Sequence, residues 1–226
     1  MWQAIKYPQK ACNRLFQLPE KGTLDPNGPG DPLEYYYRPL VGRLYRDRIE
    51  QSLSLLTPPY ESILEIGYGS GILLPTLCSM GSNVYGVDTD SEPLRVLKSL
   101  RKVGCTAELV RGDIQQADFP EEHFDLIVSI SVFEHIRDLS PVVSKIFRLL
   151  RPGGELLVGM PRVDTAMSAA FRMIGFDRIE EHHVTAYSNF LKIASEHFVL
   201  NKFRKIPSFT PRTLALYYIM LLRKPD

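Results

Sequence analysis

The sequence predicts an α/β fold in which a seven-stranded, mostly parallel sheet carries helices on both faces. From residue 62 onward, longer amphipathic stretches alternate with five short apolar runs: SILEI, NVYGV, AELV, FDLIVSI and GELLVGM. This alternation is typical of parallel strands joined by crossover helices. Two further apolar runs, FVLNKFRKI and TLALYYIMLL, are separated only by a loop that is too short for a helix. They predict an antiparallel hairpin at one edge of the sheet.

The segments between the strands are expected to begin helices near Gly71, Glu92, Ile114 and Ser140. Before the first strand, residues 33–56 have apolar side chains at helical spacing, and Pro39 and Gly42 are expected to break this stretch. A loop rich in proline and glycine, residues 18–33, sets off what precedes it. We therefore divide the chain into an N-terminal helical or lid segment, residues 1–50, and a main domain, residues 51–226.

Composition places the chain among ordinary globular proteins, since 44% of its 226 residues are apolar and 23% are charged. The net charge of +1 argues against a dedicated nucleic-acid binder, which would carry a basic excess. The longest apolar run, residues 214–222, is shorter than the ~20 residues that a membrane-spanning helix needs. The first residues do not resemble a secretory signal.

The three cysteines, Cys12, Cys78 and Cys105, are odd in number, far apart and without a C-x-x-C pair. They predict neither a disulfide framework nor a zinc site, and they favour a reducing compartment. We therefore expect a cytoplasmic protein, with peripheral membrane contact left open.

A glycine loop, IGYGSG, follows the first strand. Gly67, Gly69 and Gly71 stand where the chain must turn sharply or let a ligand approach its backbone. Asp88 ends the second strand, 21 residues beyond Gly67, where a nucleoside-binding sheet places an acid against the ribose hydroxyls. Together they favour a nucleoside cofactor over a solvated loop aspartate. They do not separate a nicotinamide cofactor from other nucleosides, although the third glycine comes one residue earlier than in G-x-G-x-x-G.

Two later motifs narrow the choice. RGDI places Asp113 and Ile114 just after the third strand, where a carboxylate and a backbone amide could meet an adenine edge. FDLIVSISVFEHI leads the fourth strand into a loop that ends in Glu134 and His135. Taken alone, the first motif is also an ordinary turn and the second an ordinary helix start.

In order and spacing, EIGYGSG, VYGVD, GDI, FDLIVSISVFEH and LLRPGGELLV together resemble the class I S-adenosylmethionine-dependent methyltransferases over residues 60–160. The predicted terminal hairpin is similar to the topology of that family, which has a Rossmann-like sheet. Among its subgroups, residues 69–98 most resemble the quinone-type O-methyltransferases. The resemblance implies transfer of a methyl group from S-adenosyl-L-methionine to a small-molecule acceptor, most simply at a hydroxyl oxygen, with S-adenosyl-L-homocysteine as product.

The resemblance also implies roles for the residues of the glycine loop. Gly67, Gly69 and Gly71 are expected to pass close to the methionine and ribose parts of the cofactor. Glu65, the acid that opens the motif, is expected to face the cofactor's amino group. Tyr68 departs from the family pattern, because its position is often held by a small residue, and its side chain either narrows the pocket or points outward.

The remaining cofactor contacts are implied in the same way. Asp88 is expected to hold the ribose, and Asp113 with Ile114 the adenine. Ile130 would offer its backbone carbonyl to the amino group, with Ser129 beside it.

A general base is expected if the acceptor is a hydroxyl, and histidine most often serves. His135 follows the fourth strand, although it could equally start a helix. His183 lies in DRIEEHHVTAYS after the fifth strand, in a segment expected to rise over the ligand edge of the sheet, and a solvated turn is the alternative. We predict no metal site, because residues 180–183 in succession cannot all face one ion.

Two apolar features have competing interpretations. An insertion near residues 161–186 places Met167, Phe171 and Ile174 on one helical face, which predicts core packing, an apolar acceptor pocket or contact with a membrane surface. The run Tyr35–Arg38 could close a lid over the cofactor, but we favour packing against the sheet. TPPYE precedes the first strand, so we interpret Pro58 and Pro59 as a helix stop, not as a base-modifying motif.

Three alternatives stay open at this point. The first is C- or N-methylation of a small metabolite. The second is a nicotinamide-dependent oxidoreductase, and the third is a non-catalytic subunit that binds S-adenosylmethionine. We expect a small-molecule acceptor, no nucleic acid, and a monomer or homodimer.

Overall fold

The computed structural model describes residues 14–28, 31–162, 184–212 and 215–226, and these residues build a seven-stranded sheet. The strands are β1 (Tyr60–Ile66), β2 (Gly81–Asp88), β3 (Glu108–Arg111), β4 (Phe124–Ile130), β5 (Leu150–Pro161), β6 (Val199–Ile206) and β7 (Tyr217–Arg223). Their spatial order is β3-β2-β1-β4-β5-β7-β6. Neighbours from β3 to β5 are parallel, and β7 is antiparallel to both β5 and β6. The predicted sheet and its terminal hairpin are confirmed.

The direction of the strand order changes between β1 and β4, which are hydrogen-bonded neighbours. From β1 the chain builds outward through β2 to β3, and it then returns to place β4 on the other side of β1. In open α/β sheets such a switch point leaves a crevice at the carboxyl ends of the strands, where ligands bind. The topology therefore locates the candidate site before any side chain is considered.

Five α-helices and two 3-10 turns connect the strands of the described chain. The helices are α1 (Pro39–Leu53), α2 (Leu74–Met80), α3 (Pro93–Arg101), α4 (Ser140–Leu149) and α5 (Tyr187–Ala194), and the 3-10 turns are Pro32–Tyr37 and Phe133–His135. Helices α1 to α4 each carry a proline in the first turn. Proline suits that position because the first amides of a helix have no partner within the helix.

Two local predictions are wrong. No helix begins near Ile114: the described residues between β3 and β4 form turns, in which Gln116 and Ala117 donate to the carbonyl of Asp113. Gly42 does not interrupt α1 but lies inside it. An added Cβ at Gly42 would lie 2.5 Å from the carbonyl oxygen of Tyr36, so glycine lets the preceding 3-10 turn pack directly on the helix.

The core forms two layers, one on each face of the sheet. Alternate residues of β1 show the division, since Ile63 packs with α1, α2 and α3 whereas Leu64 packs with α4 and α5. Both side chains are completely buried. Because successive strand residues point to opposite faces, apolar runs of this kind are expected wherever helices cover both sides.

The N-terminal residues pack on the first of these layers. The Glu50 carboxylate accepts hydrogen bonds from the backbone amides of Leu15 and Phe16, at 2.7 and 2.9 Å. Tyr36 is buried against Phe16 and Tyr45, which agrees with the packing interpretation of the tyrosine run. Helix α1 crosses residue 50, and the proposed boundary between residues 50 and 51 stays a prediction.

The prediction that the cysteines form no disulfide is wrong. Cys78 and Cys105 are joined, with Cα atoms 5.9 Å apart. The pairing is hidden in the sequence because the end of α2 and the turn before β3 meet only after β2 and α3 have folded between them. It removes the cysteine argument for a reducing compartment, and the cytoplasmic location stays a prediction.

The described residues include no helix that is long and apolar enough to cross a bilayer. Nor do they include a group of three or more histidine, cysteine or acidic side chains that could hold a metal ion. Most of the predicted insertion, with Met167, Phe171 and Ile174, lies outside the described residues.

Candidate functional site

A cavity of about 870 Å³ lies at the carboxyl ends of the central strands. Its walls come from the turns that follow β1, β2, β3 and β4, together with the N-terminal loop: Asn27, Gly28, Asp31, Pro32, Ile66, Gly67, Gly69, Val87, Asp88, Thr89, Asp90, Gly112, Asp113, Ile114, Gln115, Ser131, Val132, His135 and Ile136. Small-molecule and cofactor pockets commonly have volumes of about 300–1,000 Å³. The cavity therefore has the size and the position expected of a cofactor site.

The glycine loop turns through conformations that favour glycine. Gly67, Gly69 and Gly71 have φ angles of +80°, +50° and +78°. An added Cβ at Gly67 would overlap the Cγ2 atom of Val132. At Gly71 an added Cβ would lie 2.7 Å from a methyl group of Val96, so this glycine makes room for α3, not for the cavity.

Asp88 holds the glycine loop and the turn after β2 together. Its Oδ2 accepts from the Gly69 amide at 2.9 Å, and its Oδ1 accepts from the amides of Asp90 and Ser91 at 2.9 and 2.8 Å. A carboxylate offers about four acceptor positions, so Oδ2 keeps one for a ligand. The carboxylate thus stabilises the loop and still presents an oxygen to the cavity.

Asp113 and Ile114 line the cavity directly after β3. The amide of Gly112 donates to the carbonyl of Asp88 at 2.9 Å, which joins the end of β3 to that of β2. The Asp113 carboxylate accepts from the backbone amide of Gln115 at 2.8 Å. The side chain of Ile114 is buried, so the wall at this point is apolar.

Glu65 is a buried acid just behind the cavity wall. Only 5% of the residue is exposed, and its Oε2 atom is buried without a hydrogen-bond partner. Burial, and then the negative charge of Asp88, raise the pKa of the Glu65 carboxyl to about 8. An unpaired buried carboxyl is costly, and a cationic group of a ligand would compensate for it.

The turn after β4 holds a second buried acid, Glu134, directly before the lining residue His135. The Oε2 atom of Glu134 is buried without a partner, and burial raises the pKa of this carboxyl to about 8. Its Oε1 lies 4.0 Å from Nε2 of His135, whose side chain lines the cavity and is 45% exposed. The carbonyl of Glu134 accepts hydrogen bonds from the amides of Val184 and Thr185. These two residues therefore lie beside Glu134 and His135.

The structure brings most of the predicted site residues together. The cavity wall includes six of them: Gly67, Gly69, Asp88, Asp113, Ile114 and His135. Four others, Glu65, Gly71, Ser129 and Ile130, are not part of the wall. Ser129 is fully buried and Ile130 is the last residue of β4, directly before the lining residue Ser131. His183 lies outside the described residues.

Asp31 is a lining residue that the sequence analysis missed. Its carboxylate accepts from the Leu33 amide at 2.8 Å, as the N-cap of the first 3-10 turn, and from the Ser70 hydroxyl of the glycine loop at 3.3 Å. Aspartate directly before proline is a recognised signal for such a cap, so the local structure could have been predicted. The contact with Ser70 could not, because it joins residues 39 positions apart.

Tyr68 neither narrows the pocket nor points outward. It is only 2% exposed and packs in the core, where an added Cβ at Gly86 would lie 2.7 Å from its Cδ1 atom. Gly86 in β2 therefore provides the space for this unusual residue of the glycine loop.

Comparison with known sequences identifies the region that contains this cavity. Residues 64–158 match the model of a family described as a methyltransferase domain. A ubiquinone biosynthesis O-methyltransferase of Dechloromonas aromatica is 29% identical over 136 residues, which are 59% of this chain and 55% of that protein. The enzyme of the same name from Actinobacillus pleuropneumoniae is 31% identical over 138 residues, 58% of this chain and 56% of that protein. The chain thus spans about half the length of the curated relatives it matches.

Solved structures share the fold over most of the chain. The N-methyltransferase NodS of Bradyrhizobium japonicum, solved with S-adenosyl-L-homocysteine, has a TM-score of 0.63 and 20% identity, and the match covers 88% of this chain and 95% of that one. The [4+2]-cyclase SpnF has a TM-score of 0.62 and 15% identity, with 82% and 81% covered. At these identities the likeness establishes the fold alone.

Proposed function

Since this chain belongs to the class I S-adenosylmethionine-dependent methyltransferases, we propose that it transfers a methyl group from S-adenosylmethionine to a hydroxyl oxygen of a small molecule. The observation that carries the proposal is the cavity itself. At the switch point of the sheet it joins a glycine loop and two strand-end carboxylates, and the buried, unpaired carboxyl of Glu65 belongs to the strand that leads into this wall. The O-methyltransferase names of the relatives support oxygen as the accepting atom.

The described residues fit the proposed cofactor. The free acceptor position on Asp88 suits a ribose hydroxyl, and the apolar surface of Ile114 with the carboxylate of Asp113 suits an adenine. The uncompensated Glu65 carboxyl suits the ammonium of a methionine tail. When bound, S-adenosylmethionine supplies a methyl group that is already activated on sulfur. The protein then mainly has to align the acceptor, which can contribute about 7–11 kcal/mol to barrier reduction.

Proton removal from the acceptor hydroxyl is assigned to the pair after β4. His135 reaches the cavity, and Glu134 stands behind it with a carboxyl whose pKa is raised to about 8 by burial. Histidine is the side chain that most often serves as a general base near neutral pH, so His135 would take the proton, and the Glu134 carboxyl lies 4.0 Å from its ring. His183 stays a predicted alternative for the same role.

A methyl-transfer assay with labelled donor tests the proposal across phenols, quinols, amines, sugars and fatty acids. We expect labelled ethers from a hydroxylated acceptor, with S-adenosylhomocysteine as the second product. Replacing His135 by Gln should lower kcat by about 10²- to 10⁴-fold if it is the base. His197→Gln is the matched control, because His197 follows α5 and contacts Ser144 and Phe147 away from the cavity. Full activity of His135→Gln would leave His183 as the remaining candidate.

Binding experiments separate the competing functions. Since a cyclase shares this fold, donor binding without transfer to any acceptor would favour a non-methylating role. A melting shift with NAD and none with S-adenosylhomocysteine would instead indicate an oxidoreductase. If the labelled methyl group appears on carbon or nitrogen, the protein is still a methyltransferase, but the proposed accepting atom, oxygen, is wrong.

A further inference from the structure

A partly buried arginine contacts the turn that follows β4. Arg48, on α1, donates from Nη1 to the Ser131 hydroxyl at 3.1 Å and from Nη2 to the Tyr36 hydroxyl at 3.3 Å. The hydroxyl of Ser131 also bonds that of Tyr217, at 2.9 Å. Because Ser131 lines the cavity, this group of side chains adjoins the proposed donor site through one shared residue. We call Arg48, Ser131, Tyr36, Tyr45 and Tyr217 the arginine cluster.

The guanidinium is surrounded by neutral aromatic groups. Its central carbon lies 4.2 Å from the ring centroid of Tyr45 and 5.4 Å from that of Tyr217. Burial raises the pKa of both phenols above the ordinary value, so neither supplies a negative charge at neutral pH. Glu134 acts on the cluster electrostatically, but its own raised pKa of about 8 keeps it mostly protonated at pH 7.

Burial lowers the pKa of Arg48, but its interactions with Tyr36, Tyr217 and Tyr45 outweigh this and raise the pKa above its ordinary value, without placing an anion beside the guanidinium. Its Nε atom is buried and has no hydrogen-bond partner. No carboxylate of the described residues forms an ion pair with it. A partly buried guanidinium with an unpartnered Nε gains from an anion, and the planar fork of arginine is shaped to bind a carboxylate through two parallel hydrogen bonds.

The backbone at Ser131 gives independent support for a functional site. Ser131 has a φ angle of +59°, a conformation that residues other than glycine rarely adopt. It is fixed there by the bond from its amide to the carbonyl of Gly159, at 2.8 Å, and by its hydroxyl bonds to Arg48 and Tyr217. Gly159 in turn has no side chain because a Cβ would lie 2.6 Å from the Tyr217 hydroxyl. Strain held in this way is concentrated at binding sites.

We propose that Arg48 binds a carboxylate of the acceptor, so that the substrate is a small carboxylic acid that also carries the hydroxyl group to be methylated. The hydroxyls of Ser131 and Tyr217 complete the carboxylate site, and the tyrosine rings supply its apolar walls. The acceptor is thereby anchored on the α1 side of the cavity while its hydroxyl faces the donor. This inference rests on the proposed methyl transfer, because it identifies the acceptor of that reaction.

The test is calorimetric titration of the full chain with benzoate and with benzamide, a neutral molecule of the same shape, each with and without S-adenosylhomocysteine. We expect benzoate to bind about 10- to 100-fold more tightly than benzamide. Arg48→Gln should abolish this preference, and Arg48→Lys should retain only part of it, because a lysine keeps the charge but not the fork. Arg43→Gln is the control, since Arg43 lies on the same helix, is 80% exposed and pairs with Asp47.

The outcomes separate the two proposals. Benzoate that binds no better than benzamide, or does not bind at all, overturns the carboxylate site even where S-adenosylhomocysteine binds normally. If Arg48→Gln lowers the Tm but leaves the benzoate preference of the folded fraction unchanged, Arg48 is a structural residue and the inference fails. A protein that prefers benzoate but does not bind S-adenosylhomocysteine contradicts the proposed function instead.

Discussion

Cofactor binding should release a proton from Glu65. This carboxyl has a pKa of about 8, so at pH 7, one unit lower, about nine in ten molecules carry the proton. An ammonium placed against the carboxyl favours its charged form and lowers its pKa. If the bound pKa falls well below 7, binding of S-adenosylhomocysteine at pH 7 releases about 0.9 proton from this group.

The proton count can be measured by calorimetric titration at pH 7 in several buffers of different ionisation enthalpy. The slope of the binding enthalpy against the buffer enthalpy gives the number of protons released. The same linkage predicts that the dissociation constant falls up to about tenfold for each pH unit gained below pH 8. At pH 9, where the free carboxyl is already ionised, the release should disappear.

Two variants assign the proton. Glu65→Gln has no proton to release at this position, so its slope should approach zero and its affinity should lose the pH dependence. Glu134→Gln keeps Glu65 and should release nearly the wild-type number. Tight binding to the wild-type protein with a slope near zero at pH 7 would refute the placement of the amino group beside Glu65. An unchanged slope in Glu65→Gln would refute the assignment of the proton.

Two further predictions follow from the same site. Gly67→Ala should weaken S-adenosylhomocysteine binding and lower the free energy of unfolding by about 1–3 kcal/mol, because the new Cβ would overlap Val132 at a φ of +80°. Gly22→Ala is the control, because Gly22 has a similar φ of +87° but open space around an added Cβ. Both variants carry the backbone strain, and only Gly67→Ala adds the overlap with Val132. If calorimetry and urea unfolding show equal losses in the two variants, the overlap has no effect. The free energy of unfolding of the ligand-free protein should fall as the pH rises from 6 to 8. In the folded chain Glu65 and Glu134 keep their protons up to a pKa of about 8, whereas in the unfolded chain they lose them near pH 4.5. The loss in unfolding free energy is up to about 2 kcal/mol for each carboxyl, and Glu134→Gln should reduce it. If the unfolding free energy does not change between pH 6 and 8, neither carboxyl is protonated in the folded chain.

The sheet was predictable because its signal is local. Each strand is a short apolar run bounded by turn residues, and the loop before β7 leaves no room for a helix. The errors arose where distant residues decide the outcome. Gly42 stays helical because its missing side chain makes room for the carbonyl of Tyr36, which outweighs the poor helix propensity of glycine. Cys78 and Cys105 meet only in the folded chain.

Some residues of the candidate site were likewise predictable from the sequence, and others were not. Asp88 and Asp113 were predictable because parallel strands bring their carboxyl ends to one edge of the sheet. Arg48 and Tyr217 were not, because α1 and β7 carry no motif and come together only around Ser131. The unusual backbone of Ser131 has no signal in the sequence at all. The oligomeric state, whether monomer or homodimer, and any peripheral membrane contact stay predictions.

The arginine cluster is assembled from distant parts of the chain, so partial unfolding can remove it while the donor site stays intact. The walls that face the proposed donor come largely from the ends of β1, β2 and β3, which lie close together in the sequence. The cluster instead joins α1, the turn after β4 and β7, and its members Arg48 and Tyr217 are 169 positions apart. The cluster is complete only when all three elements are docked, and local opening of one part of a protein can leave other parts folded. Mild heat or denaturant should therefore produce molecules that have lost their selection among acceptors while they still bind S-adenosylhomocysteine.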